Sequence, residues 1–207
     1  MRSRILDAAA NLFSEKGFDG ATLTEIARRA RASKQLVHYH FRNKEILFRE
    51  VHDIKFKPII DWHDAIEDRP TELIARRFAR RVQNPGYVRF LTWDAASRPK
   101  RTVRSQTERH RRILDYHKAI VRLQKEGKIS ARHDHRLLHL AVLCLSTYPI
   151  AFGQITKLVT GLSPTDPVFQ KRWQQFLAEV GTALLGTESA VLERAPNATK
   201  KAVRKTR

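Results

Sequence analysis

Apolar residues recur at helical spacing along nearly the whole chain, and the strict alternation that marks a half-buried strand is rare. The predicted fold is all-α, with about nine helices. Ile5, Ala9, Leu12 and Phe13 share one face of a first helix, which Gly17 is placed to close. "TLTE" then reads as a capping box, with Thr22 accepting the third helical amide and Glu25 reaching back to the amide of Thr22. The second helix carries Leu23, Ile26, Ala27 and Ala30 inward. Ser33 caps a short third helix, and Asn43 caps a fourth that should run to about 66, bent or ended at Pro58. Further helices are predicted near 70–83, 85–97 and 102–126, the last closing at Gly127. Two strongly apolar helices follow: one near 133–160 that stops at Gly161, and one after "SPTDP" carrying Phe169, Trp173, Phe176, Leu177, Val180 and Leu184. From Thr187 onward large apolar residues are scarce and no element is predicted. The expected organisation is a three-helix unit at 1–46, a larger helical unit at 47–186 and a basic tail at 187–207.

The third helix lies in the stretch "SKQLVHYHFRNKE". Val37 and Phe41 are four apart and should point into a small core with Ile5, Leu12, Ile26 and Ala30. Lys34, Gln35 and His38 then share the outer face, continued by Tyr39 and Arg42. Two short helices joined by a tight turn, the second displaying hydrogen-bonding side chains, outline a helix-turn-helix DNA reader.

Charge strengthens that outline. Forty Lys and Arg against 21 Asp and Glu give a formal charge of +19 over 207 residues, which suits a polyanionic partner: nucleic acid first, an anionic membrane surface second. The cations come in blocks, with 19 basic and 6 acidic residues from Arg69 to Arg136, and 6 basic and no acidic ones from Arg194 onward. A generic arginine-rich surface is the competing explanation for the middle block, and a solubilising end competes with a DNA arm for the tail. The single cysteine, Cys144, sits in the apolar run "HLAVLCLS" and reads as a buried thiol in a reducing, cytoplasmic setting. "MRSRILDAAANLF" lacks a secretory pattern. The apolar run from Leu137 to Gly153 is too short and too interrupted to span a membrane, so none is expected as a partner. No nucleophile elbow, zincin motif, phosphate loop or apolar carboxylate pair is present, so an enzyme is not expected and no cofactor is implied.

"ILDAAANLFSEKGFDGATLTEIARRARASKQLVHYHFRNKEILF" resembles, over its whole length, the N-terminal DNA-binding domain of TetR-type transcriptional regulators. The likeness lies in the apolar helix ending in "LF", the "KGF" turn, the capped second helix with "IA", the Ser-Lys start of the third helix and the closing "YHFRNKE". It implies a nine-helix homodimer that places one recognition helix per subunit in successive major grooves of a palindromic operator, with a small-molecule pocket in the larger domain. By the same resemblance, Lys34, Gln35 and Leu36 sit where the family meets base edges. Gln35 suits adenine, Lys34 guanine or phosphate, and Leu36 a thymine methyl. Tyr39, His40, Lys44 and Thr24 resemble its phosphate contacts, and Ser33 and His38 complete the DNA-facing set. Arg31 stands where the family turn usually has glycine, Gln35 where a small residue is common, and His38 where tyrosine is common, which bears on the operator sequence.

Candidate lining residues of an effector pocket are Trp62, Phe90, Trp93, Tyr116, His117 and Tyr148, on helices that the resemblance places around the cavity. The pairs Arg76/Arg77, Arg80/Arg81 and Arg111/Arg112 suggest an anionic effector, such as an acyl-thioester of coenzyme A. His135 and His139 have a spacing able to grip a metal from one helical face, but no Cys or Glu nearby completes a ligand set, and no metal site is assigned. The last two helices are too apolar to stand exposed, and a four-helix bundle with their symmetry mates is the expected solution. The expected function is a homodimeric repressor released from its operator by a small molecule. A ligand-independent DNA-binding protein and a metal-dependent helical protein are the alternatives.

Overall fold

The computed structural model describes residues 1–56, 66, 68–97 and 104–187, and among them it is all-helical. The order is α1 (Arg2–Gly20), α2 (Leu23–Ala30), α3 (Lys34–Phe41), α4 (Lys44–Glu50, continued by a π-helical turn, Val51–Phe56), α5 (Leu73–Gln83, after a 3-10 turn at Pro70–Glu72), α6 (Pro85–Ser97), α7 (Arg104–Lys125), α8 (His135–Ala151), α9 (Gly153–Thr160) and α10 (Pro167–Leu185). The expected basic tail and Trp62 lie outside the described residues.

The local signals act largely as read. Thr22, Ser33 and Asn43 each accept the backbone amide three residues on, at 3.1, 3.1 and 2.8 Å. Glu25 does not return to the amide of Thr22, because its carboxylate is taken by Lys16 at 2.9 Å and Arg29 at 3.3 Å. Gly17 breaks the regular helix with φ 71°. A Cβ there would also come within 3.0 Å of the Trp93 ring, so the position needs glycine twice over. Arg31 is left-handed, at φ 49° and ψ 49°, which costs roughly 1–2 kcal/mol. The α2 end is held there by the amides of Arg31 and Ala32 on Arg28 and Ala27 carbonyls, at 3.1 and 2.9 Å. Arg4 adds a bond to the carbonyl of Ala30 at 2.8 Å.

Two apolar cores result. The first gathers α1 to α4 with Tyr87 and Phe90 of α6. Phe48 stacks on Phe90 at 4.6 Å and meets Phe13 edge-on at 5.0 Å. The second joins α5, α7, α8 and α10 around Ile74, Phe78, Ile120, Val142, Phe169 and Leu177. Here α10 lies so close to the Pro70–Glu72 turn that a Cβ at Gly181 would fall 1.9 Å from the carbonyl oxygen of Thr71.

Three expectations change. The fourth helix is α-helical only to Glu50 and continues as a π-helical turn whose Val51 and Phe56 are both buried in the first core, while the bend expected at Pro58 lies outside the described residues. The apolar helix expected at 133–160 divides at Phe152 into α8 and α9, bent by 87°. Pro149 weakens the ladder there, and the hydroxyl of Thr156 donates to the Pro149 carbonyl at 2.9 Å. Cys144 is exposed, not buried. It lies on the outward stripe of α8 with Leu137, Leu140 and Tyr148, which are 66%, 56% and 49% exposed. Among the described residues no single helix is long and apolar enough to cross a membrane.

Candidate nucleic-acid interface

The third helix is anchored by two side chains and presents the rest. Val37 and Phe41 are each 1% exposed, and the guanidinium of Arg2 lies 5.1 Å over the Phe41 ring. Lys34, Gln35, His38 and Tyr39 are exposed, while Leu36 and His40 are half-buried. Tyr39 is 80% exposed, an unusual cost for an aromatic ring that nothing covers, and its edge meets His40 at 5.3 Å. Thr24 is exposed on the first turn of α2. Ser33 spends its acceptor on the Leu36 amide and keeps a hydroxyl hydrogen for an outside acceptor.

His38 and Arg42 fix each other. The Arg42 amide donates to the His38 carbonyl at 2.7 Å, and His38 Nδ1 stands 3.0 Å from the Arg42 carbonyl oxygen. A carbonyl only accepts, so Nδ1 carries the proton in this contact. Arg42 itself sits at φ 55°. Lys44 has a double duty: its ammonium donates to the carbonyls of Phe18 and Ala21 at 2.8 and 2.9 Å and lies 4.3 Å from the Phe18 ring centre. Of its three N–H bonds, one remains beyond these two carbonyls.

Ion pairs brace α1 on its neighbours. Arg29 meets Glu15 at 2.8 Å, Lys16 meets Glu25 at 2.9 Å, and Arg2 pairs with Glu50. The hydrogen bond from Arg29 holds the Glu15 carboxyl below the usual range, and that from Lys16 does the same for Glu25. Both acids therefore stay ionised but matched, which limits their repulsion of an approaching phosphate chain.

The family model of bacterial regulatory proteins of the TetR family matches residues 5–51, which span α1 to α4 and the first turn beyond. Residues 5–51 belong to the TetR family. The biofilm operon icaADBC HTH-type negative transcriptional regulator IcaR of Staphylococcus epidermidis is 40% identical over 62 residues, 30% of this chain and 34% of that protein. IcaR of Staphylococcus aureus is 42% identical over 50 residues, 24% of this chain and 27% of its own length. The chain thus spans about a third of the length of these relatives. Among solved structures, SCO4942 of Streptomyces coelicolor superposes with a TM-score of 0.73 at 19% identity, over 90% of this chain and 98% of that one. FadR of Bacillus subtilis, in complex with stearoyl-CoA, gives 0.59 at 14% identity over 86% and 98%. The ketosteroid regulator KstR2 of Mycobacterium tuberculosis gives 0.59 at 20% identity over 89% and 94%. These likenesses extend beyond residues 5–51 and show the fold of the larger unit.

The residues expected to line one pocket in the larger unit lie in three places. Phe90 is buried in the first core, and Trp93 lies against Gly17, so both pack α6 on the N-terminal helices. Tyr148 faces outward beside Phe152, 4.8 Å away. Tyr116 and His117 of α7 face α8, where the Tyr116 ring lies 4.2 Å from His139, and His139 Nδ1 is 3.1 Å from His117 Nε2. His135 joins them, 5.0 Å from His117, yet among the described residues no group of three or more His, Cys, Asp or Glu is arranged to hold a metal ion. Burial, then Arg77 and His117, press the His139 pKa down to about 3, so this ring is neutral at physiological pH. Each arginine pair of α5 is split, Arg76 and Arg80 lying outside and Arg77 and Arg81 inside. The inward pair was within reach of the pattern, since Leu73, Ile74, Arg77, Phe78 and Arg81 form one helical face.

Proposed function

We propose that the chain is a homodimeric transcriptional repressor that reads a palindromic DNA operator with α3 and leaves it when a small molecule occupies the larger unit. The observation that carries this reading is the division of α3, with Val37 and Phe41 locked into the head while Lys34, Gln35, His38 and Tyr39 stand in solvent. Gln35 and Lys34 are the base readers, with Leu36 and His38 beside them, and Thr24, Ser33, Tyr39, His40 and the spare N–H of Lys44 are the phosphate contacts. Residues 1–46 serve as reading head and 47–186 as effector and dimer body. IcaR is named a negative regulator, which supports repression as the output.

Dimerisation is supported by apolar surface on α8, α9 and α10. Leu137, Leu140, Leu158, Val159, Val168 and Phe176 are each at least 47% exposed. That is more apolar surface than a monomer ordinarily leaves in water, and pairing α8 and α10 with their symmetry mates would cover it. A route from body to head is also built in, because α6 plants Phe90 in the head core and Trp93 on Gly17. A ligand that displaced α6 would tilt α1 and with it α3.

Selection of bound duplexes by the full chain tests the reading. Two inverted half-sites about 34–36 Å apart are expected, and a hit in a metabolite panel should release the DNA. Selection of a lone half-site by a monomer, or release by no metabolite, would remove the corresponding part of the reading.

A further inference from the structure

Arg81 is 3% exposed in the last turns of α5. Its guanidinium lies 4.5 Å over the ring of Tyr87, and among the described residues its Nε and Nη1 have no hydrogen-bond partner and it makes no ion pair. Arg77, one turn earlier on the same face, is 8% exposed. The described titratable groups that act on Arg81 are Tyr87 of α6, whose side chain also shares a hydrogen bond with it, and the outward Arg80, and neither brings a negative charge; Tyr116 of α7 and His139 of α8 adjoin Arg77. Burial and the neighbouring Arg81 press Arg77 down to about 9, which still leaves it charged at neutral pH. Arg81, held dry with open N–H bonds on Nε and Nη1, is unfavourable unless a counter-charge enters. A metal cation would be repelled by the same pair.

We propose that Arg81, assisted by the charge of Arg77, is an anion subsite inside the larger unit that receives the carboxylate or phosphate head of an amphiphilic small molecule. Tyr87 holds the guanidinium plane by stacking, and Ile74 and Phe78 share the inward face of α5 with Arg81. As an effector site it rests on the function proposed above; as a binding site it rests on Arg81 alone. Arg76 and Arg80 point outward and take no part.

Decanoate, decyl phosphate and decanol are the probes, used with the full chain in calorimetry and thermal unfolding. Either or both anions should bind and raise the Tm, the difference between them naming carboxylate or phosphate, while decanol should not. Arg81→Met should raise the ligand-free Tm, because it removes a buried unmatched charge, and should weaken anion binding at least about tenfold. Arg80→Met on the outer face should change neither. Binding of neither anion, equal binding of decanol, or a lower ligand-free Tm in Arg81→Met would each overturn the subsite. DNA release separates the two readings: an anion that binds through Arg81 without releasing DNA upholds the subsite and removes its effector role. Release by decanol with no binding of either anion does the reverse.

Discussion

The helices α3 and α5 are both short and carry basic residues, yet they place them oppositely. In α3 the apolar pair Val37 and Phe41 goes inward, and Lys34, His38 and Tyr39 stay out. In α5 the inward stripe itself includes two guanidiniums, Arg77 and Arg81, while Arg76 and Arg80 take the surface. The contrast shows that charge count says little until burial is known. Exposed cations on a fixed helix remain hydrated until a polyanion arrives, and their attraction is screened by salt. Buried cations have already lost their water, so they demand a partner from within or a ligand from outside.

The comparison breaks most visibly at the anchor of α3. Phe41→Ala removes a side chain 1% exposed and should cost about 3–5 kcal/mol. Loss of operator binding should accompany the drop in stability seen in denaturant unfolding. Retained binding at full affinity would mean that the outer face does not depend on its anchor. A smaller and more diagnostic effect is expected at Lys44, where a surface cation is also a structural one. Lys44→Ala deprives the Phe18 and Ala21 carbonyls of their shared donor, so it should lower stability by about 1–3 kcal/mol. DNA affinity should fall alike on all sequences. Unchanged stability with weakened binding would make Lys44 a phosphate clamp only.

Much of the head was legible in the sequence because its signals are local. A hydroxyl or amide that caps a helix needs a partner three residues away, so Thr22, Ser33 and Asn43 declare themselves. The buried stripe of α3 follows from a four-residue step. The misreadings lie where a distant partner decides. Glu25 had a capping choice, and Lys16 from α1 took it. The run around Cys144 is apolar enough for a core, but its outer stripe finds no cover among the described residues. The break at Phe152 hid inside an otherwise periodic pattern, where Pro149 was its one mark. The aromatic set could not be divided into core, head–body contact and outward stripe without the packing of α6 on α1. On α5 the period pointed Arg77 and Arg81 inward, but the ordinary expectation that charge stays outside obscured it.

If α3 reads base sequence while its neighbours grip the backbone, parallel selection of bound DNA by the wild-type chain and by Gln35→Ala should separate the two roles. Gln35 is exposed at the start of α3, and one good base contact is worth about 1–3 kcal/mol of discrimination. The account predicts that the variant relaxes or changes its preference at one position in each half-site, with the salt dependence of binding unaltered. An unchanged preference, with affinity lowered equally on every sequence, would contradict it.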